Sequence, residues 1–179
     1  MPHLLRAVLP IALAAGVLSS SPSVLAAQAP EHPEARLRDL GLALPEVAAP
    51  VANYVRAVRT GNLVFLAGHG ECGPPLRGKV GGGVSVEDAY ASARRVGLCL
   101  LSSLKAEIGD LAKVRRVVKV LGMVNSAADF ADQPKVVNGC SDLLVAIFGD
   151  RGRHARSAVG MASLPQGIAV EIEMVVEVE

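Results

Sequence analysis

The 179-residue chain carries 18 lysines and arginines against 17 acidic residues, so its formal net charge is only +1. That balance offers no basic face of the kind that nucleic-acid binding requires. Aromatic residues make up 3% of the chain and tryptophan is absent, so platforms for stacking bases are scarce. The composition therefore disfavours nucleic acid as a partner.

The first 27 residues have the layout of a secretory signal peptide. A weakly positive start is followed by an apolar run over residues 7–18 and by small residues before a cleavage point at Ala26 or Ala27. The apolar run is shorter than the ~20 residues that a membrane span needs. The sequence predicts export, to a bacterial periplasm, with no membrane attachment after cleavage; an uncleaved anchor is the alternative.

The remaining length fits a single domain. Residues 28–50 are rich in proline and alanine and are predicted to form an N-terminal arm, and residues 51–179 the domain itself. The elements expected in chain order are a short helix near Glu34–Leu40, strands over Tyr54–Arg59 and Leu63–His69, a helix between Ser85 and Gly109, a strand over Val114–Val124, a helix from Asp132 to Gly149, and strands over Arg156–Ala162 and Ala169–Val178. After the arm, this ββαβαββ order predicts an α+β fold, one sheet with two helices on one face.

Local signals set several of these boundaries. The tripeptide Thr60-Gly61-Asn62 has the chemistry of a tight hairpin turn. Ser85 followed by Asp88 resembles a capping box. Asp132 is expected to cap the second long helix, with Pro134 in the first turn of that helix.

The three cysteines do not suggest a disulfide framework, because their number is odd. Cys99 and Cys140 fall on apolar helix faces and are expected in the core. Cys72 lies in a loop rich in glycine and proline, where exposure is expected. The spacing of the three fits no zinc motif, and we expect neither a metal nor an organic cofactor.

Two strand segments are apolar at consecutive positions. Residues 63–67 in the first segment, and Val117-Val118 and Val120-Leu121 in the second, would place apolar side chains on both faces of the sheet. Two helices can cover only one face, so the second face needs another cover. A further copy of the chain is the economical source, and the pattern predicts an oligomer.

The C-terminal strands carry the most informative residues. Arg156 lies at the start of one predicted strand and Glu171 inside the next. Arginine suits the bidentate clamping of a carboxylate, and a partly buried glutamate suits a general base for water. A structural salt bridge between neighbouring strands is the alternative.

Three stretches of this sequence together resemble the RidA/YjgF family of small trimeric proteins. The most specific is HARSAVGMASLP at residues 154–165 with VEIE at 170–173, and the others are NYVRAVRTGNLVFLAGHG at 53–70 and GDLAKVRRVVKVLGMVNSAADF at 109–130. The resemblance implies a chorismate-mutase-like homotrimer with three sites at subunit clefts. It further implies hydrolysis of reactive enamines and imines to ketones and ammonia.

By this resemblance, Arg156 grips a substrate carboxylate and Glu171 positions or deprotonates the attacking water. The other positions expected to contact a small carboxylate-bearing metabolite are Tyr54, Gly68, His69, Asn138, His154 and Ser157. The strand-two phrase departs from the deaminating members, reading Ala67-Gly68-His69 where serine, glycine and glutamine are typical. His154 replaces a common proline, and both histidines could supply acid–base chemistry.

The family has also carried a ribonuclease label, which the composition disfavours. The activity that the resemblance implies is deamination of imino acids to 2-oxo acids. A non-enzymatic trimer that binds a small metabolite, or a chaperone-like interaction protein, is the alternative.

Overall fold

The computed structural model describes residues 32–46, 50 and 52–179. The predicted signal peptide at 1–27 lies outside the described residues, as does the beginning of the arm. In chain order the helices and strands are α1 (Pro33–Asp39), β1 (Ala57–Thr60), β2 (Leu63–His69), α2 (Val86–Ile108), β3 (Val114–Asn125), α3 (Gln133–Phe148), β4 (Ala155–Met161) and β5 (Val170–Val178). From β1 onward this confirms the predicted ββαβαββ order.

The strands form one five-stranded sheet in the order β1-β2-β5-β3-β4. All neighbours are antiparallel except β3 and β4, which are parallel because α3 carries the chain back across the sheet between them. The α+β class is therefore confirmed. The first strand begins at Ala57 rather than at the predicted Tyr54.

The boundary signals read from the sequence are mostly confirmed. Gly61 has φ 58° at the first of two turn positions between β1 and β2. The Ser85 hydroxyl accepts the Asp88 amide at 3.0 Å and donates to the Asp88 carboxylate at 2.8 Å. Asp132 does begin α3, but its side chain makes no capping bond. The predicted capping role of Asp132 is therefore wrong, because its carboxylate pairs with Lys135 at 2.9 Å instead.

Both long helices lie on one face of the sheet. The core between them and the strands contains side chains such as Leu100, Leu144 and Ile172, all fully buried. The opposite face carries no helix of the described chain and presents apolar side chains to solvent, including Phe65, which is 44% exposed, and Val58. We call this the open face. It is the second apolar face that the strand patterns predicted. Within the described residues, no helix combines the length and the apolar content that a membrane crossing requires.

Cys99 is buried and Cys72 is exposed, as the sequence predicts, but the pairing of the cysteines differs from the expectation. Cys140 is a buried free thiol as predicted, but Cys72 and Cys99 form a disulfide, with Cα atoms 5.8 Å apart. The odd count did not reveal this pair because only the fold shows that the loop after β2 returns over α2. Glu71, next to Cys72, anchors the same loop through Ser92 at 2.6 Å and through Arg95.

Breaking this disulfide should destabilise the protein substantially. The bond closes a loop across a sequence separation of 27, and a loop of that size restricts the unfolded chain by roughly 3–4 kcal/mol. We expect Cys72→Ser to lower the unfolding free energy by about that amount in denaturant titration. A reducing agent should produce a similar loss in the wild type and none in Cys72→Ser. An unfolding midpoint of the wild type that is insensitive to reduction would contradict the assignment.

Candidate functional site

Arg156 lies near the start of β4 and points to the helix side of the sheet. It pairs in register with Val120 of β3, which is fully buried beneath the helices. Its Nη1 donates to Asn138 Oδ1 at 2.8 Å and to Ser141 Oγ at 3.0 Å, both on α3. No carboxylate of the described chain forms a salt bridge with it. The half-buried guanidinium thus keeps a positive charge that the described chain does not neutralise.

His154 extends this hydrogen-bond chain. Its Nε2 lies 3.1 Å from Ser141 Oγ and its Nδ1 lies 2.7 Å from the carbonyl oxygen of Gly152. Burial, and secondarily the charge of Arg156, hold the pKa of His154 below its usual value. Both ring nitrogens are engaged within the protein, so the acid–base role considered for His154 gains no support. Ser141 was not among the predicted site residues, although it lies one helical turn from Asn138 on α3.

A small depression opens beside this cluster. It has a volume of about 240 Å³ and is lined by Ser141, Val145, Arg153, His154 and Arg156. Arg153 is largely exposed and pairs with Asp150 at 3.1 Å. Arg156 is therefore the arginine of this depression whose charge is available to an anionic ligand.

Glu171 lies on β5 and points to the open face. It pairs in register with Met123 of β3, one of the residues that alternate away from the buried side. Its carboxylate rests against Gly68: a Cβ at that position would overlap Glu171 Oε1. Burial, followed by the negative charge of Glu173, raises the pKa of Glu171 above its usual value. Both features suit a group that takes a proton from water.

Removing the charge of Glu173 should lower the pKa of Glu171. In Glu173→Gln the carboxylate repulsion disappears while burial remains, so Glu171 should ionise at a lower pH than in the wild type. A carbon-13 NMR titration of the Glu171 carboxyl measures this shift directly. Glu177→Gln is the matched control on the same strand and should leave the titration unchanged. An unchanged midpoint in Glu173→Gln would show that the two carboxylates do not interact.

Two other predicted site residues, His69 and Tyr54, lie apart from both Arg156 and Glu171. His69 is 3% exposed and bridges Ala67 O and Ser103 Oγ, each at 2.7 Å, beneath α2. That arrangement favours a structural role for His69 over substrate contact. Tyr54 precedes β1 and is 44% exposed.

Ser157 lies on the open face rather than beside Arg156, because successive strand residues point to opposite sides. Its hydroxyl accepts from Lys119 Nζ at 2.9 Å. Both residues line a groove of about 390 Å³, with Glu173 across from Ser157. Lys119 was not among the predicted site residues, because the register that places it beside Ser157 could not be predicted from the sequence.

Arg156 and Glu171 do not meet within one chain. Their strands are separated by β3, and the two side chains point to opposite faces of the sheet. The alternative of a structural salt bridge between neighbouring strands is wrong for the single chain, because β4 and β5 are not neighbours. In the described part of the chain, no cluster of three or more histidine, cysteine or acidic side chains could hold a metal ion.

A mixed five-stranded sheet with its helices on one face is the fold of the chorismate-mutase-like proteins. The chain belongs to the YjgF family, since residues 34–176 match the family model described as "YjgF/chorismate mutase-like, putative endoribonuclease". This confirms the RidA/YjgF resemblance that the sequence carries.

Individual relatives agree with that assignment. Protein TCP17 of Trypanosoma cruzi is 43% identical over 147 residues, which cover 80% of this chain and 92% of that protein. A crystal structure of an Agrobacterium tumefaciens protein of unknown function is 42% identical and has a TM-score of 0.77, with 82% and 92% of the two chains covered. A 2-iminobutanoate/2-iminopropanoate deaminase of Dermatophagoides farinae is 26% identical over 140 residues, or 77% of this chain and 95% of that protein.

Proposed function

We propose that this protein is an imine deaminase that hydrolyses 2-imino acids, or closely related imines, to 2-oxo acids and ammonia. The observation that carries the proposal is the half-buried guanidinium of Arg156, held by Asn138 and Ser141 without a carboxylate partner in the described chain. Such a group is suited to bind a planar carboxylate in a two-point fork. The relative named as a deaminase of 2-imino acids supports the same substrate class.

The proposed site lies between two copies of the chain. Arg156 faces the helix side of the edge strand β4, and Glu171 faces the open side, so a second copy must supply one of them. The open face exposes Val58, Phe65 and Val159, which favours an apolar contact with another subunit. A homotrimer with three equivalent clefts satisfies both requirements. Light scattering should give about three times the mature mass, because a heterologous contact that closes on itself forms a ring.

In the proposed reaction, Arg156 of one subunit pairs with the substrate carboxylate, and Glu171 of the next faces a water. Glu171 takes a proton from the water while the water oxygen bonds to the carbon of the protonated imine. The C=N electron pair moves to nitrogen. The protonated Glu171 then returns that proton to nitrogen. The C–N bond breaks as the hydroxyl oxygen forms the carbonyl, and the hydroxyl proton leaves with ammonia as ammonium. The products are a 2-oxo acid and ammonium.

The pKa of Glu171 bears on this role. A carboxyl whose pKa is raised by burial and by Glu173 is a stronger base than an ordinary glutamate once it is ionised. The rate should therefore rise with pH through that pKa and fall on acidification. Because Gly68 has no side chain, the Glu171 carboxylate can occupy the space beside it. This explains why glycine suits that position of the proposed site.

Export to an oxidising compartment remains part of the proposal. The Cys72–Cys99 disulfide supports it, since such bonds persist mainly outside the cytosol. Intact-mass analysis of protein from its native host should give a mature N-terminus near Ala27 or Gln28. A mass that includes residues 1–26 would overturn the export proposal and leave the catalytic one standing.

The activity is tested by generating an imino acid in situ with an amino-acid oxidase and following the lifetime of the intermediate. Catalytic amounts of the purified protein should shorten that lifetime and speed the appearance of the 2-oxo acid. Tight binding of the 2-oxo acid with no change in imine lifetime would identify a metabolite-binding trimer instead. If the protein neither binds the 2-oxo acid nor shortens the imine lifetime, the interaction-protein alternative is favoured.

A further inference from the structure

Ser141 sits at the centre of the hydrogen-bond chain that holds Arg156. We propose that Ser141 is a positioning residue, which together with Asn138 tethers one amino group of Arg156 so that the opposite edge of the guanidinium faces the substrate. This inference rests on the proposed carboxylate-binding role of Arg156 and names how that role is achieved. The substrate edge is then formed by Nη2 and Nε.

The hydrogens of Arg156 account for this orientation. Nη1 carries two hydrogens, and the two acceptors on α3, Asn138 Oδ1 and Ser141 Oγ, take one each. The described residues show no hydrogen bond from Nη2 or Nε. Nε–H and the adjacent Nη2–H run parallel, which is the geometry that matches the two oxygens of a carboxylate. Because both tethers are neutral, they fix the direction of the charge without cancelling it.

His154 fixes the hydroxyl of Ser141 in turn. Since Ser141 Oγ accepts from Arg156, its own hydrogen is free to point at His154 Nε2, 3.1 Å away. The Nδ1–H of His154 then donates to Gly152 O. This assignment follows from the network and makes His154 a neutral imidazole protonated on Nδ1. Its depressed pKa agrees with a neutral ring.

The titratable groups near His154 do not interrupt the hydrogen-bond chain from Arg156 through Ser141 to His154. Arg153 is paired with Asp150 at the surface. On α3, Cys140 precedes Ser141 and is a buried thiol whose pKa is raised to about 12. Asp142 follows Ser141 and accepts from the Tyr90 hydroxyl at 2.9 Å. Neither neighbour on α3 therefore supplies a negative charge to Arg156 in place of the substrate.

Two variants of Ser141 test the inference. Ser141→Ala removes one tether, and the affinity for 2-oxobutanoate, measured by calorimetry, should fall about three- to tenfold. In the imine assay KM should rise by a similar factor with kcat little changed, because the carboxylate contact persists from bound substrate to transition state. Ser141→Thr restores the hydroxyl and should recover most of the affinity. Ser102→Ala is the matched control, since its hydroxyl bonds Leu98 O on α2 at 3.0 Å.

Nitrogen-15 NMR of the histidine rings tests the direction of the hydrogen bonds in this chain, and the rise in KM with little change in kcat is the readout that a purely structural role of Ser141 would not give. The wild type should show His154 with Nδ1 protonated and Nε2 bare. An Nε2-protonated ring, or Ser141→Ala binding as tightly as the wild type, would overturn the inference. Equal losses in Ala and Thr variants accompanied by lowered melting temperatures would also overturn it. If the wild type binds 2-oxobutanoate but leaves imines intact, the proposed deaminase activity is wrong and the positioning role of Ser141 still stands. If the wild type does not bind 2-oxobutanoate, both the proposed activity and the role of Ser141 are overturned.

Discussion

Arg156→Ala should lower kcat/KM for imine hydrolysis by about 30- to 1000-fold, the loss expected for a charge-assisted two-point contact. Arg156→Lys should fail nearly as badly, because an ammonium group cannot reproduce the planar fork of a guanidinium. The fold should persist in both variants, since the side chain is only half-buried and its two hydrogen-bond partners, Asn138 and Ser141, are neutral.

Arg153→Ala is the matched control for that result. Arg153 borders the same depression but is exposed and paired with Asp150. We expect its removal to change turnover little, as exposed ion pairs contribute little energy. Steady-state kinetics and melting temperatures should be measured side by side. Normal turnover in Arg156→Ala, or a larger loss in Arg153→Ala, would contradict the assignment of Arg156 as the carboxylate clamp.

Glu171→Gln should lower kcat by about 10²- to 10⁴-fold, the usual contribution of a general base. Glutamine keeps the size of the side chain, so its packing against Gly68 should be retained. Single-turnover kinetics separate this chemical effect from changes in binding. Substrate affinity should be largely preserved, because in the proposed site the substrate carboxylate pairs with Arg156.

Glu173→Gln is the control for Glu171→Gln. It should keep most of the activity while the acid limb of the pH–rate profile moves to lower pH, following the lowered pKa of Glu171. A Glu171→Gln variant that retains wild-type kcat would remove Glu171 from the proposed reaction. Glu173, whose carboxylate lies on the same face of β5, would then be the next candidate base.

The regular elements were predictable because their signals are local. Gly61 in the hairpin turn and Ser85 at the start of α2 act through their immediate neighbours, so sequence spacing was sufficient. Asp132 shows the limit of such signals, because Lys135 competes successfully for its carboxylate. The Cys72–Cys99 pair was not predictable for a different reason: it depends on how a loop returns over a helix.

The site was predictable by residue type but not by geometry. Arg156, Asn138 and His154 do lie together, whereas Ser157 and Glu171 lie on the opposite face. That division follows from a strand register and a sheet order in which β3 separates β4 from β5. The role of Ser141 depends on a tertiary contact between α3 and β4, which spacing alone does not show. His69 is buried because the strand turns it toward α2 rather than toward the open face.

In the proposed trimer, each site takes its arginine from one subunit and its glutamate from another. Co-expression of Arg156→Ala and Glu171→Gln chains with different tags, followed by tandem purification, isolates trimers that contain both. In every such trimer one of the three clefts pairs an intact Arg156 with an intact Glu171, so activity should recover to about one third of the wild type per trimer. Mixed trimers no more active than either parent would place both residues in a single-chain site, or outside the reaction, and contradict the account.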